Sequence, residues 1–328
     1  MPPPDRPDEF GLIERVFAPL AAEAPGAFSL TDDAAVFTPT EGMEMVLTVD
    51  AIVEGVHFLK ADPADSIARK LLRVNLSDLA AKGAIPRGYL LVTSWRPDTP
   101  LPWIEDFARG LAEDQRTYGL SLWGGDTVSS DGPLTFSLTA IGEVPRGQML
   151  RRSGARPGDD LYVTGTIGDA ALGLLAAQGR LDAAVEDVDW LAGRYRLPCP
   201  RNAVGPRLRG LATAALDVSD GLMADLGHLC AASGVGATVE TALVPLSPVV
   251  DRLLTADPSR LEAVLTGGDD YEILFAAPPG KAADIARAAT ETGTSITRIG
   301  WVVEGREGVS AVDRQGRPVA LKQLGFRH

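Results

Sequence analysis

Hydrophobic residues recur along the chain at two different spacings, and together these spacings predict a protein with both helices and strands. Residues 45–53 form an almost continuous run of apolar and β-branched side chains, which is typical of a buried strand. Residues 102–118 instead place apolar side chains three or four positions apart and end at Gly119, which indicates an amphipathic helix. Applied to the first half of the chain, these criteria predict strands at 45–53, 88–95 and 134–144 and helices at 10–20, 62–83 and 102–118.

The second half alternates between the same two patterns, but a stretch rich in glycine, proline, arginine and aspartate comes first, at 146–160. Such a change of composition is typical of a domain boundary. Beyond it, the pattern predicts strands at 161–164, 214–218, 237–240 and 271–277 and helices at 169–178, 221–232 and 281–291. We therefore expect a mixed α/β (α+β) protein with a proline-rich disordered tail at 1–9, an N-terminal domain at 10–148 and a C-terminal domain at 149–328.

Composition narrows the kinds of partner that the protein can have. The chain has 328 residues, 45% of them hydrophobic, and a formal net charge of −13. This acidity argues against general binding to nucleic acid or anionic membranes, because these polyanions need a basic surface. Two cysteines, Cys199 and Cys230, are too few for a disulfide framework or a cysteine-based zinc site. No apolar run reaches the roughly 18 residues of a membrane-spanning helix, and the acidic start is unlike a signal peptide, so a cytoplasmic location is expected.

The common catalytic motifs are missing from the sequence. There is no G-x-x-x-x-G-K-[ST] phosphate-binding loop, no G-x-S-x-G nucleophile motif and no H-R-D or D-F-G motif of the protein kinases. With three histidines in the chain, a hydrolytic triad has few candidates for its base. Any phosphate chemistry must therefore rely on other residues.

Aspartates recur at glycine-rich turns and at the ends of predicted strands, where a carboxylate rarely contributes to packing. The positions are Asp33, Asp50, Asp78, Asp126, Asp217, Asp220 and Asp269. Carboxylates that are brought together without a cation repel one another and lose hydration. A divalent cation with oxygen ligands removes this cost and leaves positions for phosphate oxygens, which backbone N–H groups of adjacent glycines can also approach. The pattern predicts a metal–phosphate site but does not identify a substrate.

Each candidate also has an ordinary structural interpretation. A single aspartate beside a glycine is often a helix cap or a turn residue, and Asp220 in particular fits an N-cap. His57 lies near a predicted strand end, where a histidine is more often structural than functional, and Arg152 belongs to a basic pair that would usually be solvated. Trp123 and Phe326 are residues that would usually pack in a core. Residue types alone leave these alternatives open.

A series of short motifs follows in a distinctive order along the chain. Residues 31–35 read TDDAA, 48–50 TVD, 54–58 EGVHF, 74–81 VNLSDLAA, 124–127 GGDT, 152–155 RSGA, 216–222 LDVSDGL and 268–272 GDDYE. In this order they closely resemble the motifs of the thiamine-monophosphate kinase family, whose superfamily includes aminoimidazole ribonucleotide synthetase. The resemblance extends from about residue 9 to Phe326.

The resemblance implies a two-domain fold like that of aminoimidazole ribonucleotide synthetase. Its N-terminal domain would contain a sheet that pairs with a second subunit to form a homodimer, and its C-terminal domain would be mixed α/β. The implied reaction transfers a phosphate from ATP to thiamine monophosphate, giving thiamine diphosphate, with several Mg²⁺ ions. The transfer is expected to be direct and in line, without a phosphorylated enzyme.

The resemblance also implies roles for individual residues. It implies metal binding by Asp33, Thr48, Val49, Asp50, Asp78, Asp126, Asp217 and Asp220. It implies ATP binding by Gly125, Asp126, Arg152 and Ser219, and contact with thiamine monophosphate by His57, Asp269 and Phe326. Asp50, Asp126 and Arg152 are the residues expected to contribute most to catalysis.

Three positions depart from the family pattern, and one of them is Thr31, which stands where a glycine is common. Val49 stands where relatives often have threonine or serine, so any metal contact there must use the backbone. Asp269 stands where glutamate is common and is shorter by one methylene.

Other members of the superfamily remain alternatives. Aminoimidazole ribonucleotide synthetase, selenophosphate-forming enzymes and hydrogenase-maturation proteins also use ATP, but the last two resemble chains with a terminal cysteine that is not seen here. A non-catalytic nucleotide sensor on the same scaffold is a further alternative. Loss of the carboxylates would mark such a sensor, and here they are present.

Overall fold

The computed structural model describes residues 7–305 and 308–325, and its chain divides into two compact units. Unit 1 comprises Met1–Leu79 and Ala84–Gly147, and unit 2 comprises Ala80–Gly83 and Gln148–His328. None of the helices in the described part of the chain is long and apolar enough to cross a membrane. The cytoplasmic location stays a prediction.

Unit 1 is built on a four-stranded sheet. Its strands are β1 (Met43–Val53), β2 (Ile85–Trp95), β3 (Ser121–Ser129) and β4 (Thr135–Pro145), in the spatial order β1-β4-β2-β3. Its helices are α1 (Glu9–Leu12), α2 (Ala64–Ala81, whose last two residues belong to unit 2) and α3 (Leu101–Tyr118). β4 pairs antiparallel with β1 and with β2, whereas β2 and β3 run parallel. β1 and β3 are therefore the two edges of this sheet.

The side chains of β1 show that the sheet has one buried face and one exposed face. Val46 is 6% exposed, whereas Leu47 and Val49 are 61% and 60% exposed. Successive side chains of a strand point to opposite faces, so the even-numbered residues of β1 from 46 to 52 face the hydrophobic core. Thr48 and Asp50 lie on this core-facing side at partly buried positions.

Unit 2 contains a six-stranded mixed sheet in the order β10-β7-β9-β5-β8-β6. Its strands are β5 (Asp160–Thr164), β6 (Ala214–Asp217), β7 (Gly236–Glu240), β8 (Ile273–Ala277), β9 (Ile296–Val303) and β10 (Val309–Val312). Its helices are α4 (Asp169–Ala177), α5 (Val185–Arg196), α6 (Leu222–Ser233), α7 (Pro248–Ala256), α8 (Leu261–Thr266) and α9 (Ala282–Thr292). Its buried apolar side chains form two hydrophobic clusters, a larger one that includes α6 and a smaller one that includes α9.

The combination of helices and mixed sheets confirms the predicted fold class, but several elements differ from the predictions. β3, β9 and β10 were not predicted, and α5, α7 and α8 lie in segments for which the pattern predicted no element. The glycine-rich turn predicted around Gly125 is wrong, because this residue lies inside β3 and pairs with Leu91. Glycines weaken the strand signal in a sequence, since they have no side chain to pack.

Two predicted boundaries are also wrong. The helix predicted at 10–20 is divided into α1, a π-helical turn at Ile13–Phe17 and a 3₁₀ turn at Ala18–Ala21. Of the predicted tail, Asp8 and Glu9 already belong to the start of α1, where the Asp8 side chain accepts the N–H of Gly11. Residues 1–6 lie outside the described residues.

Candidate active site

Three of the predicted metal ligands meet between β1 and α2 in unit 1. Thr48 Oγ1 donates a hydrogen bond to Asp78 Oδ2 at 2.5 Å. The backbone N–H of Asp50 donates to Asn75 Oδ1 at 3.1 Å, and Asn75 Nδ2 donates to the carbonyl of Leu71 at 2.9 Å. Asn75 and Asp78 are three residues apart on α2 and therefore share one face of the helix. Packing of this face against β1 brings Thr48, Asp50 and Asp78 together.

The two carboxylates of this cluster repel each other. Burial, and secondarily the nearby charge of Asp78, raise the pKa of Asp50 to about 6. Every side-chain atom with which Thr48, Asp50 and Asp78 could bind a metal ion is an oxygen, the ligand type that Mg²⁺ prefers. Asn75 received no predicted role, and the structure shows that its side chain is fully buried. Its place among the apolar residues of the predicted helix is the sequence signal that could have identified it, since a buried polar side chain needs hydrogen-bond partners.

A cavity of about 680 Å³ lies beside β3 in the same unit. Asp33, Gly125 and Asp126 line it together with the aromatic side chains of Phe37 and Trp123. The Trp123 ring meets the Phe37 ring edge-on, with centroids 5.0 Å apart. Both carboxylates are exposed, so the cavity combines charged groups and glycine backbone with an aromatic surface. Its size and lining suit a small ligand that has a charged part and a flat apolar part.

Within one copy of the chain, Asp50 and Asp126 lie at opposite edges of the sheet. One cross-strand row contains Asp50, Leu138, Leu91 and Gly125. Three strand spacings separate the ends of this row, which is about 14 Å. Asp126 belongs to the next row with Val92, whose side chain is 42% exposed on the outward face. Asp50 faces the core side, so one copy does not bring these two carboxylates to the same point.

In unit 2, three predicted site residues lie close together in sequence: Asp217 ends β6, and Ser219 and Asp220 lie in the loop between β6 and α6. One oxygen of Asp225, Oδ2, accepts the backbone N–H groups of Ser219, Asp220 and Gly221 at 3.0, 2.9 and 3.1 Å. Burial raises the pKa of Asp225 to about 7, although these hydrogen bonds act in the opposite direction. The buried carboxylate of Asp225 therefore holds the backbone of this loop in place.

The structure does not support Asp220 as an N-cap. α6 begins at Leu222, its N-cap residue is Gly221, and the cap makes no side-chain hydrogen bond. Asp220 instead contributes to the one group of potential metal-ligand side chains, Asp220, Asp225 and His228, found among the described residues within 4.8 Å of one another. Asp225 received no predicted role; an aspartate in the first turn of a helix commonly interacts with the helix dipole at the surface.

A second loop, at 267–272, lies against the first one in unit 2. The backbone N–H of Asp269 donates to the carbonyl of Ser219 at 2.9 Å, and the N–H of Tyr271 donates to the carbonyl of Val218 at 2.8 Å. These bonds bring the predicted substrate residue Asp269 next to the predicted ATP residue Ser219. Tyr271 has a positive φ of 52°, which explains why β8 begins at Ile273 and not at the predicted residue 271.

Arg152 is exposed in unit 2. The carbonyl of the preceding residue, Arg151, accepts the N–H of Ala215 at 2.8 Å, and Gly154 lies against the carbonyl of Thr213, so this segment runs along β6 in the direction away from Asp217. The structure therefore places Arg152 beside β6.

His57 occupies the turn after β1, where its Nδ1 accepts the N–H of Val53 at 3.1 Å. Because Nδ1 accepts this hydrogen bond, it carries no proton, and the proton of the neutral His57 ring is on Nε2. The side chain of Val49 faces away from Thr48 and Asp50, so only its backbone is on their side. Phe326, the remaining predicted residue, lies outside the described residues.

Comparison with known proteins links this arrangement to a family. Residues 31–144 match the model of the AIR synthase related protein N-terminal domain, and residues 156–313 match that of the C-terminal domain. The chain is 47% identical to thiamine-monophosphate kinase of Caulobacter vibrioides, over 98% of this chain and 91% of that protein. The chain belongs to the thiamine-monophosphate kinase family. The resemblance stated from the motifs is thereby confirmed.

Solved structures agree with membership of the thiamine-monophosphate kinase family. The crystal structure of thiamine-monophosphate kinase from Stenotrophomonas maltophilia K279a superposes with a TM-score of 0.84 at 40% identity, covering 95% of this chain and 98% of that one. AaThiL complexed with AMPPCP and TMP gives a TM-score of 0.78 at 30% identity, covering 98% of this chain and 96% of that one. These matches confirm the predicted two-domain fold class of the superfamily.

Proposed function

We propose that the protein transfers a phosphate from ATP to thiamine monophosphate, forming thiamine diphosphate and ADP with the help of Mg²⁺. The observation that carries the proposal is the cluster of Thr48, Asp50 and Asp78, an all-oxygen site at the positions that the family motifs predict. The 680 Å³ cavity lined by Gly125, Asp126 and aromatic rings supports it, because ATP has both phosphates and a flat base.

The residues present fit a divalent cation. Asp50 has a pKa of about 6 because it is buried near the negative charge of Asp78, and a cation between them would favour the ionised forms of both. We propose Mg²⁺ binding by Asp33, Thr48, Val49, Asp50, Asp78, Asp126, Asp217 and Asp220, with Val49 using its carbonyl oxygen. Bound Mg²⁺ supplies positive charge that stabilises the transferring phosphate and reduces repulsion between the two anionic substrates.

The chain's own residues mainly position the substrates. We propose that the Gly125 backbone, Asp126, Arg152 and Ser219 hold the ATP phosphates, with Arg152 contributing a permanent positive charge. The phosphate of thiamine monophosphate is already an anion and acts as the nucleophile, so no general base is needed. Direct in-line transfer then depends on holding the attacking oxygen about 3 Å from the terminal phosphorus of ATP.

Three residues are proposed to bind thiamine monophosphate. The Nε2–H of His57 provides a donor for a phosphate oxygen or a polar ring atom of the acceptor. Asp269 lies beside Ser219, so it approaches the acceptor close to the proposed position of the ATP phosphates. Phe326 is proposed to stack on a thiamine ring.

The test of the proposed function is an acceptor comparison. Purified protein is incubated with ATP and Mg²⁺ together with thiamine monophosphate, unphosphorylated thiamine or AMP, with and without EDTA, and the products are separated by chromatography. We expect thiamine diphosphate and ADP in equal amounts when thiamine monophosphate is the acceptor, and no product with thiamine or AMP. No product should form with any acceptor when EDTA is present. Product with another acceptor but not with thiamine monophosphate would contradict the proposal.

Gly125→Ala is expected to raise the KM for ATP at least tenfold. A Cβ at residue 125 would lie 1.8 Å from the carbonyl oxygen of Leu91, so β3 must move away from β2 and distort the cavity. Gly124→Ala is the matched control, because a Cβ there meets only Leu90 Cδ2 at 3.5 Å and both glycines have nearly the same φ, 158° and 157°. Equal KM values in the two variants would contradict this account of the cavity wall.

The outward face of the unit 1 sheet supports the proposed homodimer. Met45, Leu47, Val49 and Val92 are 42%, 61%, 60% and 42% exposed on one face, which is an unusual concentration of apolar side chains for a solvated surface. We propose that two copies pack these faces together with β1 of one copy next to β3 of the other. This arrangement brings β1, the strand that carries Asp50, next to β3 of the partner subunit, the strand that carries Asp126, so both subunits would contribute to one site.

Leu47→Glu is expected to convert the dimer to a monomer, because it places a charge in the centre of the buried apolar face. Light scattering after gel filtration should change from about twice 34.5 kDa to 34.5 kDa. Val185→Glu is the control, since Val185 is 71% exposed on α5 in unit 2 and should leave the mass unchanged. A Leu47→Glu protein that keeps the double mass would contradict this interface.

A further inference from the structure

The loop at 267–272 contains two unfavourable backbone conformations close together. Asp269 and Tyr271 have φ values of 73° and 52°, in the left-handed region that favours glycine. Only three other non-glycine residues of the described chain, Phe28, Ser29 and Leu30, share this feature. Strain of this kind persists only where surrounding contacts hold the backbone in place, and it is concentrated at binding sites.

Asp270, between the two strained residues, makes the contacts that hold this loop. Its side chain is 1% exposed and accepts two backbone N–H groups at the start of α4. Oδ2 accepts from Gly168 at 2.7 Å and Oδ1 accepts from Ala170 at 3.1 Å. The first N–H groups of a helix have no partner within the helix, so they are suited to anchor a carboxylate.

On its other side the strained loop is bound to the loop that carries Ser219. Besides the bonds from Asp269 to Ser219 and from Tyr271 to Val218, the N–H of Val218 donates to the carbonyl of Glu272 at 2.8 Å. A Cβ at Gly268 would lie 2.3 Å from the Ser219 carbonyl oxygen, which shows how closely the two backbones approach. The conformation of Asp269 is therefore defined by Asp270 on one side and by this loop on the other.

We propose that Asp270 is a positioning residue for thiamine monophosphate. It touches no substrate itself, but it keeps Asp269 in the left-handed conformation in which the Asp269 side chain meets the acceptor. This inference rests on the proposed function, and specifically on the proposed contact of Asp269 with thiamine monophosphate.

The contacts predict that loss of Asp270 affects one substrate more than the other. Ser219, proposed to bind ATP, has a separate anchor, since Asp225 accepts the N–H groups of Ser219, Asp220 and Gly221. Removal of Asp270 releases Asp269 while the loop around Ser219 keeps these three bonds. A residue with only a structural role would lower stability without this selectivity.

The experiment compares Asp270→Asn and Asp270→Ala with the wild-type enzyme. The matched control is Asp159→Asn, because Asp159 is also buried in unit 2, at 5% exposure, and its carboxylate accepts the N–H of Arg156 at 3.0 Å and the hydroxyl of Thr213 at 2.7 Å. For each protein, kcat, both KM values and the melting temperature are measured. We expect the KM for thiamine monophosphate to rise at least tenfold in both Asp270 variants, with the KM for ATP within twofold of wild type. Asp159→Asn should change only the melting temperature.

Other results overturn the proposal. Equal increases of both KM values, unchanged KM values with a lowered melting temperature, or failure of both Asp270 variants to fold would make Asp270 a purely structural residue. Asp269→Asn is measured in parallel. If the wild-type enzyme forms no thiamine diphosphate, the proposed function fails. If it does, and Asp269→Asn raises the KM for thiamine monophosphate while the Asp270 variants do not, only this inference fails.

Discussion

Asp50→Asn is expected to lower kcat by about 10³-fold, which corresponds to about 4 kcal/mol of transition-state stabilisation. Asparagine keeps the size of the side chain but removes the negative charge that we propose to bind Mg²⁺ next to Asp78. The folded protein should melt at the same or a higher temperature, because a buried charge that is repelled by Asp78 is removed. Loss of activity without loss of stability is the combination expected of a ligand and not of a core residue.

The measurement for Asp50→Asn is steady-state kinetics over a series of Mg²⁺ concentrations, together with thermal melting. Glu44→Gln serves as control, because Glu44 lies on the same strand and its exposed side chain accepts only the N–H of Gly147 in the described contacts. We expect its kcat to stay within twofold of wild type. Turnover of Asp50→Asn close to wild type would contradict the ligand assignment.

Asp126→Asn is expected to have an effect of similar size, about 10²- to 10³-fold on kcat/KM for ATP. Asp126 is exposed in the cavity wall on β3, so the substitution removes a charge from the proposed nucleotide site without disturbing the core. Asp131→Asn, in the exposed turn after β3, is the control and should behave as wild type. Unchanged kcat/KM for ATP in Asp126→Asn would remove Asp126 from the site.

Combining the two variants tests whether the active site is shared between subunits. If Asp50 works with Asp126 of the partner subunit, a heterodimer of one Asp50→Asn chain and one Asp126→Asn chain contains one site with both carboxylates intact. We expect such a heterodimer, purified with two different tags, to regain close to half of the wild-type activity. An inactive heterodimer would contradict the proposed pairing of β1 with β3, although each single-variant result would stand.

Local periodicity indicated where Asp50 and Asp78 lie on their elements, and the family motifs added Thr48. Thr48 and Asp50 alternate with apolar residues on a clear strand, and Asp78 follows the spacing of a buried helix face. Each side chain's direction therefore follows from its own element. The family motifs supplied the remaining positions, and family membership and fold class were confirmed, whereas the individual site roles stay predictions.

Other parts of the site depend on contacts between residues that are distant in sequence. Gly125 lies inside a strand because it pairs with Leu91. Two consecutive glycines have low β-propensity, so the sequence alone does not predict this strand. The separation of Asp50 from Asp126 follows from the strand order, which local patterns do not determine.

The anchoring roles of Asp225 and Asp270 were also missed, for a related reason. Asp225 looks like a solvated residue of a first helical turn, and Asp270 looks like one more member of an acidic turn. Their functions become visible only through burial and through the backbone N–H groups that they accept. The contacts of Asp270 link residues about a hundred positions apart. Those of Asp225 reach only four to six positions along the chain, but they depend on a loop conformation that no local pattern predicts.

The most direct test of direct phosphoryl transfer follows the γ-phosphate of ATP. The enzyme is incubated with [γ-³²P]ATP, Mg²⁺ and thiamine monophosphate, and the label is measured over time in thiamine diphosphate, in inorganic phosphate and on the protein. Direct transfer predicts that label appears in the terminal phosphate of thiamine diphosphate at the rate at which ATP disappears, with none bound to the protein. Label released only as inorganic phosphate, or first held covalently on the protein, would contradict it.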